Sequence, residues 1–228
     1  MITLIWLRGF FGLASIGILG LCLGLTAQTQ RKNAPPAAPP TGTGIEDAQL
    51  YRNSAFGFRY QIPYGWVDRT REMNVRDSTG DAGSESPSSS KGASKEHVGG
   101  RAEVLLGVFE RPPEATGDSI NSGVVIASES AASYPGLKKA EDYLSPLTEV
   151  ATAKGFKSAD EPYALEVESR RVVRADFIKP LSDKLTMRQC TLILLTKGRI
   201  VSFTFIADSE DGLDDIMDGL HFFPSGGH

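Results

Sequence analysis

Two long apolar segments joined by a two-residue turn constrain this chain more than any other feature. The segments Leu185 to Thr196 and Arg199 to Ala207 flank the dipeptide Lys197-Gly198. Because glycine supplies the positive φ that tight hairpin turns require, this pattern predicts a β-hairpin. The second segment alternates apolar residues on one strand face: Val201, Phe203, Phe205 and Ala207. The chain is therefore expected to build an antiparallel sheet.

Strand-like alternation recurs through the rest of the sequence. Further strands are predicted at Phe56 to Ile62, Arg101 to Arg111, Ser122 to Ser130, Tyr163 to Val167 and Arg171 to Ile178. The segment 101–111 is apolar on both faces, which indicates a buried central strand. After the first strand, Pro63 ends the pairing and Gly65 turns the chain, so that Trp66 is expected to pack on the core and Tyr64 to lie at the surface.

Two segments have the spacing of a helix face. Apolar residues recur at three and four positions between Leu137 and Ala151, interrupted by Pro146. Either one helix kinks there, or Ser145 caps a second helix with the proline in its first turn. The last helix is expected to begin at Asp208 or Ser209, with its acidic residues on a solvated face. Its buried stripe is predicted to consist of Leu213, Ile216, Met217 and Leu220.

The N-terminal region has the layout of an export signal. Residues 1–27 place Arg8 before an apolar run and end in small residues, which is typical of a signal peptide or, if retained, of a membrane anchor. Leu21 before Cys22 does not fit a lipid-attachment motif. Residues 28–44 are rich in proline and alanine and indicate a linker. We therefore expect an extracytoplasmic protein, periplasmic or secreted, that contacts a membrane only through an uncleaved N-terminus.

The folded part is expected to be one domain at residues 45–224, followed by a short tail at 225–228. Residues 78–100 are dominated by Ser and Gly and cannot bury enough apolar surface to offset the entropy of ordering, which predicts a disordered insertion. His97 lies there, and no ligand spacing surrounds it. Without the signal, Cys190 is the only cysteine, and its apolar surroundings predict a core position.

Composition and motifs argue against several functions. The formal net charge is −4, which disfavours a role in nucleic-acid binding. The sequence has no zinc-protease helix, no nucleophile elbow and no phosphate loop, so we expect neither an enzyme nor a cofactor or metal site. One basic cluster, Arg170, Arg171 and Arg174, is a candidate docking patch for an acidic partner, with Tyr64 as a further candidate. The alternative is a set of sheet-face charges balanced by Glu166 and Glu168.

Two segments carry a family resemblance, YRNSAFGFRYQIPYGW near the start and TKGRIVSFTFIADSEDGLDDIMDGLHFF near the end. Together with the order of elements, they make residues 45–224 resemble the PsbP-like family, which includes the Mog-type proteins. The resemblance implies an α+β fold in which helices flank an antiparallel sheet, an α/β/α sandwich. It also implies a non-enzymatic module that docks onto a larger assembly, as members do with photosystem II or a small nuclear GTPase. A carrier of a small ligand or lipid, using a cleft between sheet and helix, is the alternative.

Overall fold

Antiparallel strands make up nearly half of the residues that the structure describes. The computed structural model describes residues 43–47, 49–78, 102–112, 115 and 117–223. The predicted signal segment, the linker up to residue 42, the insertion from residue 79 onward with His97, and the C-terminal tail lie outside these residues. No helix within the described residues is long and apolar enough to cross a membrane.

The described part of the chain contains twelve strands, three α-helices and two 3-10 turns. The strands are β1 (Thr43–Asp47), β2 (Leu50–Asn53), β3 (Phe58–Gln61), β4 (Val67–Asp68), β5 (Glu103–Phe109), β6 (Gly123–Ser130), β7 (Lys157–Ser158), β8 (Tyr163–Val167), β9 (Arg170–Ser182), β10 (Leu185–Thr196), β11 (Arg199–Ala207) and β12 (Leu220–Phe222). The α-helices are α1 (Thr70–Ser78), α2 (Leu144–Ala153) and α3 (Glu210–Met217), and two 3-10 turns lie at Ala131–Ser133 and Ala140–Tyr143. The linker prediction ended at residue 44, whereas β1 already begins at Thr43, and Ser78, the first residue of the predicted insertion, ends α1.

The larger sheet has the predicted hairpin at its centre. Its strand order across the described residues is β4-β5-β6-β11-β10-β9-β7, and β8 pairs with β9 as well. Strands β10 and β11 pair in register from Arg188 opposite Ala207 to Thr196 opposite Arg199. Lys197 and Gly198 both have positive φ, at 50° and 70°, as a two-residue hairpin turn requires. The hairpin prediction is confirmed.

A smaller sheet covers one face of the larger one. It has the order β1-β2-β3-β12 in the described part of the chain. The space between the sheets is filled by aromatic rings that pack edge to face: Phe58 lies 4.9 Å from Phe203, and Phe203 lies 5.6 Å from Phe222, measured between ring centroids. Trp66 packs against the same core, as its position after Gly65 predicted.

The opposite face of the larger sheet is covered by the segment from residue 131 to 156. Helix α2 begins at Leu144 and places Pro146 in its first turn, where the missing N–H costs little. The second of the two helix alternatives is correct in placing Pro146 in the first turn and wrong about the cap, because Ser145 lies inside the helix and Tyr143 precedes it. Leu147 and Ala151 of α2 pack onto Phe177 and Ile193 of the sheet.

The predicted fold class, α+β with an antiparallel sheet and flanking helices, is confirmed. The layers differ in detail, because the smaller sheet and α3 together cover the face for which a helix was expected. Ser209 caps α3 by accepting a hydrogen bond from the Gly212 amide at 3.1 Å. Leu220, predicted on the helix stripe, instead begins β12 and is still buried.

Candidate functional site

An open groove lies where the end of α3 meets the outer face of the smaller sheet. Its volume is about 480 Å³. The lining residues come from three strands, one turn and the helix end: Leu50, Arg59, Gln61, Pro63, Asp215, Asp218, Gly219 and His221. The sheet supplies the basic residues and α3 supplies the acidic ones. The groove therefore has walls of opposite charge.

The sheet wall is a row of basic side chains on adjacent strands. Arg52 of β2 lies directly opposite Arg59 of β3, which in turn lies opposite His221 of β12. Their neighbours along each strand are buried, so these side chains belong to the outer face of the sheet. The guanidinium of Arg52 stacks over the ring of Phe223 at 4.5 Å. The row spans three strands, on the order of 10 Å.

His221 is held by a carboxylate that reaches across from the larger sheet. Its Nδ1 lies 3.0 Å from Oε1 of Glu168, while Oε2 of Glu168 accepts a hydrogen bond from the Phe222 amide at 2.5 Å. The hydrogen bond with His221 is the main reason that the pKa of Glu168 lies below its ordinary value, and the Phe222 amide lowers the pKa further. The carboxylate thus fixes the imidazole and also satisfies an outward amide of the edge strand β12.

The turn that presents Glu168 is strained. Glu168 and Ser169 connect β8 to β9 with φ values of 46° and 69°, a left-handed conformation that side chains with a Cβ rarely adopt. Such residues cost roughly 1–3 kcal/mol each and persist where surrounding contacts hold them. The two contacts of the Glu168 carboxylate with β12 provide that restraint.

The acidic wall is held in place by a buried tyrosine and a glycine. Tyr60 donates its hydroxyl hydrogen to the carbonyl oxygen of Ile216 in the last turn of α3, at 2.9 Å. Burial raises the pKa of Tyr60 far above its ordinary value, which keeps the hydroxyl a donor. At Gly219, a Cβ would lie 2.8 Å from the carbonyl oxygen of Gln61, so only glycine permits this close approach. Asp215 and Asp218 are thereby positioned above the sheet.

Tyr64 directly follows the groove-lining residue Pro63 in the sequence. Its side chain is 91% exposed, as expected for this position. The turn beneath it is closed by a hydrogen bond from the Trp66 amide to the Pro63 carbonyl oxygen at 3.3 Å, with Gly65 at a φ of 81°. The aromatic ring is therefore displayed to solvent from an ordered turn.

The three arginines of the predicted docking patch do not share one face. Arg170 and Arg174 lie on the same side of β9 as Val172, which packs toward the smaller sheet, whereas Arg171 lies on the other side with Val173. The alternation of side chains along a strand imposes this separation. The docking role of these residues stays a prediction, and none of the three lines the groove.

Each of the arginines also has a local environment of its own. Arg171, 70% exposed, pairs with Glu141 at 2.9 Å, and Arg174 pairs with Asp176 at 2.8 Å. Arg170 packs its guanidinium against Gly57, where a Cβ would lie 3.0 Å from Nη2. The carboxylates in contact with Arg171 and Arg174 therefore differ from those that sequence proximity indicated.

Cys190 is fully buried in the core between the two sheets, as predicted. Burial raises the pKa of its thiol, and the neighbouring carboxylate of Asp176 raises it further. In the described residues, no group of His, Cys, Asp and Glu side chains is arranged to hold a metal ion.

Sequence reasoning predicted the exposure of Tyr64 correctly and missed the groove, while the docking role of Tyr64 stays a prediction. The groove residues are distributed over positions 50 to 63 and 215 to 221, and the Glu168 contact comes from a third region. One local signal was present in the segment Gly219 to Phe223. There Leu220 and Phe222 alternate with His221 and Phe223 after a glycine, which is the two-residue period of a strand with one buried face.

Neither a protein-family model nor any of the curated proteins matches the sequence. Among solved structures, the chain is similar to the cyanobacterial PsbP (CyanoP) of Synechocystis, with 15% identity, a TM-score of 0.43 and coverage of 83% of this chain and 100% of that one. It is also similar to the Ran-binding protein Mog1p of Saccharomyces cerevisiae, with 8% identity, a TM-score of 0.40 and coverage of 76% and 94%. LpqN of Mycobacterium tuberculosis, involved in cell envelope biogenesis, gives 12% identity, a TM-score of 0.31 and coverage of 55% and 86%. These similarities are too distant to carry a functional argument.

Proposed function

We propose that this protein is an exported, non-enzymatic binding module that docks onto a larger protein assembly through the groove and Tyr64. The observation that carries the proposal is a large aromatic side chain, 91% exposed, on the turn that begins at Pro63, a lining residue of the open charged groove. Tyrosine is enriched at protein interfaces because it combines a large contact area with a polar tip and few rotatable bonds. Export is the part of the proposal that rests on residues 1–27.

The packing of the core favours docking over the alternative of a carrier. Sites for small ligands are concave and mostly apolar, and they enclose most of the ligand. Here the space between the two sheets is occupied by side chains that are 0% exposed, namely Phe58, Tyr60, Phe203 and Phe205. The groove, in contrast, is open and has charged walls, which suits a segment of a partner protein.

The test is site-specific photo-crosslinking in the cells that make the protein. A photoreactive phenylalanine analogue replaces Tyr64 in the full-length tagged chain, and adducts are identified by mass spectrometry of the envelope fraction. The matched control carries the same analogue at Tyr163, an exposed tyrosine on β8 that is 48% exposed and does not line the groove. We expect a defined adduct from position 64 that is absent from position 163.

Two results would contradict the proposal. Adducts of identical composition from both positions would indicate non-specific contact, and a chain that crosslinks to nothing from position 64 would remove docking at this surface. The predicted arginine patch is tested in the same assay by Arg171→Glu, because Arg171 is the most solvent-exposed of its three arginines. A loss of the adduct in that variant would extend the docking surface to the edge formed by β8 and β9.

A further inference from the structure

The facing walls of the groove carry opposite charges that do not neutralise each other. Arg59 lines one wall, and Asp215 and Asp218 line the other. Within the part of the chain that the structure describes, Arg59 forms no ion pair with Asp215 or Asp218, although it lies near enough to the Glu168 carboxylate for its charge to help lower the pKa of Glu168. The groove thus presents one cationic and one anionic recognition point on either side of an open space.

The helix wall is arranged against the local preference of its element. Asp215 and Asp218 lie at the C-terminal end of α3, whose last turn contains no basic residue, although the helix dipole disfavours carboxylates there. Departures from local preference concentrate at functional sites, and this one borders the groove.

A ligand that brings an anion to the sheet wall and a cation to the helix wall would pair with Arg59 and would offset the unfavourable position of the two aspartates. In an extended peptide, successive side chains point in opposite directions. An acidic residue followed directly by a basic residue therefore directs its two charges toward opposite walls. Leu50 and Pro63 provide apolar contacts for the intervening backbone, and Tyr64 lies beside the path.

We infer that the groove recognises an extended segment of a partner protein in which an acidic residue adjoins a basic one. The carboxylate of the segment binds Arg59, and its ammonium or guanidinium group binds Asp215 and Asp218. His221, held through Nδ1 by Glu168, lines the same wall beside Arg59. This inference rests on the proposed function, since it names the chemistry of the partner that docks there.

The experiment uses three synthetic peptides of equal length and capped ends as probes. Their central pairs are glutamate–lysine, glutamate–glutamine and glutamine–lysine, and their remaining residues are glycine and serine. Binding to the isotope-labelled full chain is followed by NMR through the backbone amides of Gln61, Gly219 and His221. We expect saturable shifts with the glutamate–lysine peptide, and roughly tenfold weaker binding of each singly charged peptide, because each loses one charged hydrogen bond.

Substitutions assign the two ends of the ligand. In the Arg59→Gln variant, the glutamate–lysine peptide is expected to bind no more tightly than the glutamine–lysine peptide. In the variant with both Asp215→Asn and Asp218→Asn, the glutamate–lysine peptide is expected to bind no more tightly than the glutamate–glutamine peptide. Arg188→Gln is the matched control, since it removes an arginine that lies outside both the groove and the predicted arginine patch. The Tm of every variant is measured in parallel to check that the fold is retained.

The outcomes separate this inference from the proposed function. Equal binding of all three peptides, or binding that Arg59→Gln and the aspartate substitutions leave unchanged, overturns the inference. So does the absence of shifts at the groove with any peptide. If the Tyr64 adduct nevertheless forms and survives Arg59→Glu, docking at this surface stands while the charge pattern assigned to the partner is wrong.

Discussion

Replacing Tyr60 with phenylalanine is expected to loosen the acidic wall of the groove without disturbing the core. The ring is fully buried and would keep its packing, so the change is confined to the hydroxyl group. That hydroxyl donates to the carbonyl of Ile216 at 2.9 Å. Because α3 ends at Met217, the carbonyl lies in the last turn and has no helical N–H to accept.

The magnitude follows from these two facts. Losing a neutral buried hydrogen bond costs about 1 kcal/mol, and leaving the carbonyl without a donor adds about 1 kcal/mol more. A loss of about 2 kcal/mol in the free energy of unfolding corresponds to a decrease of roughly 4–8 °C in Tm for a domain of this size. Amide exchange at Gly219 and Leu220 should accelerate more than exchange in β10 and β11, since the released contact is local.

Thermal unfolding and hydrogen exchange measure these effects directly. The control is Tyr64→Phe, which removes a hydroxyl from a side chain that is 91% exposed and should leave Tm unchanged. The reasoning is refuted if Tyr60→Phe lowers Tm no more than the control does. It is also refuted if exchange accelerates evenly over the molecule, because the hydroxyl would then support the core as a whole and not the end of α3.

Two further predictions concern titratable groups. The pKa of Glu168 lies below its ordinary value of 4.5, so the carboxylate contributes stability that is present above that pH and lost as pH falls through the lowered pKa. Between about pH 6 and pH 3, the Tm of the Glu168→Gln variant should therefore fall less than the Tm of the unmodified protein. If both proteins lose the same Tm over this range, the contact between Glu168 and His221 does not stabilise the fold. Cys190 should resist alkylation in the native protein, assayed in a Cys22→Ser background, and react only on unfolding, because burial raises the pKa of its thiol. Rapid labelling under native conditions would place the thiol nearer the surface than the core.

The fold was predictable where the determinants are close together in the sequence. The central hairpin depends on two alternating segments and the dipeptide Lys197-Gly198, all within one continuous stretch. The end of α2 follows from Gly155, whose φ of 83° is one that glycine adopts readily. These signals are local, so the tertiary structure does not override them.

The second sheet was missed because its strands are short and distant from one another. Strand β12 has three residues and pairs with β3, more than 150 positions earlier in the chain. The two-residue period after Gly219 is too short to outweigh the helix spacing of the preceding residues, which Leu220 also fits. The groove depends on this pairing, and so it was not visible before the two sheets were placed together.

The arginine cluster shows a different limit of sequence reasoning. Arg170 and Arg171 are adjacent in the sequence, yet they point to opposite faces of β9, one toward Gly57 and the other toward Glu141. Proximity in the sequence indicates a shared surface in a helix turn or a loop, but it indicates the reverse for neighbours in a strand. Arg59 and His221 are separated by most of the domain in the sequence, yet they lie side by side on neighbouring strands.

The groove is supported from behind by contacts between elements that are distant in sequence. Tyr60 fixes the helix wall through Ile216, and Glu168 fixes the sheet wall through the Phe222 amide and His221. Neither supporting residue needs to touch a bound segment. Because ordering side chains and loops on binding costs free energy, walls that are already fixed leave more of the contact energy available for affinity and selectivity. The strained turn at Glu168 is consistent with this arrangement, since its cost is borne in the folded protein before any partner arrives.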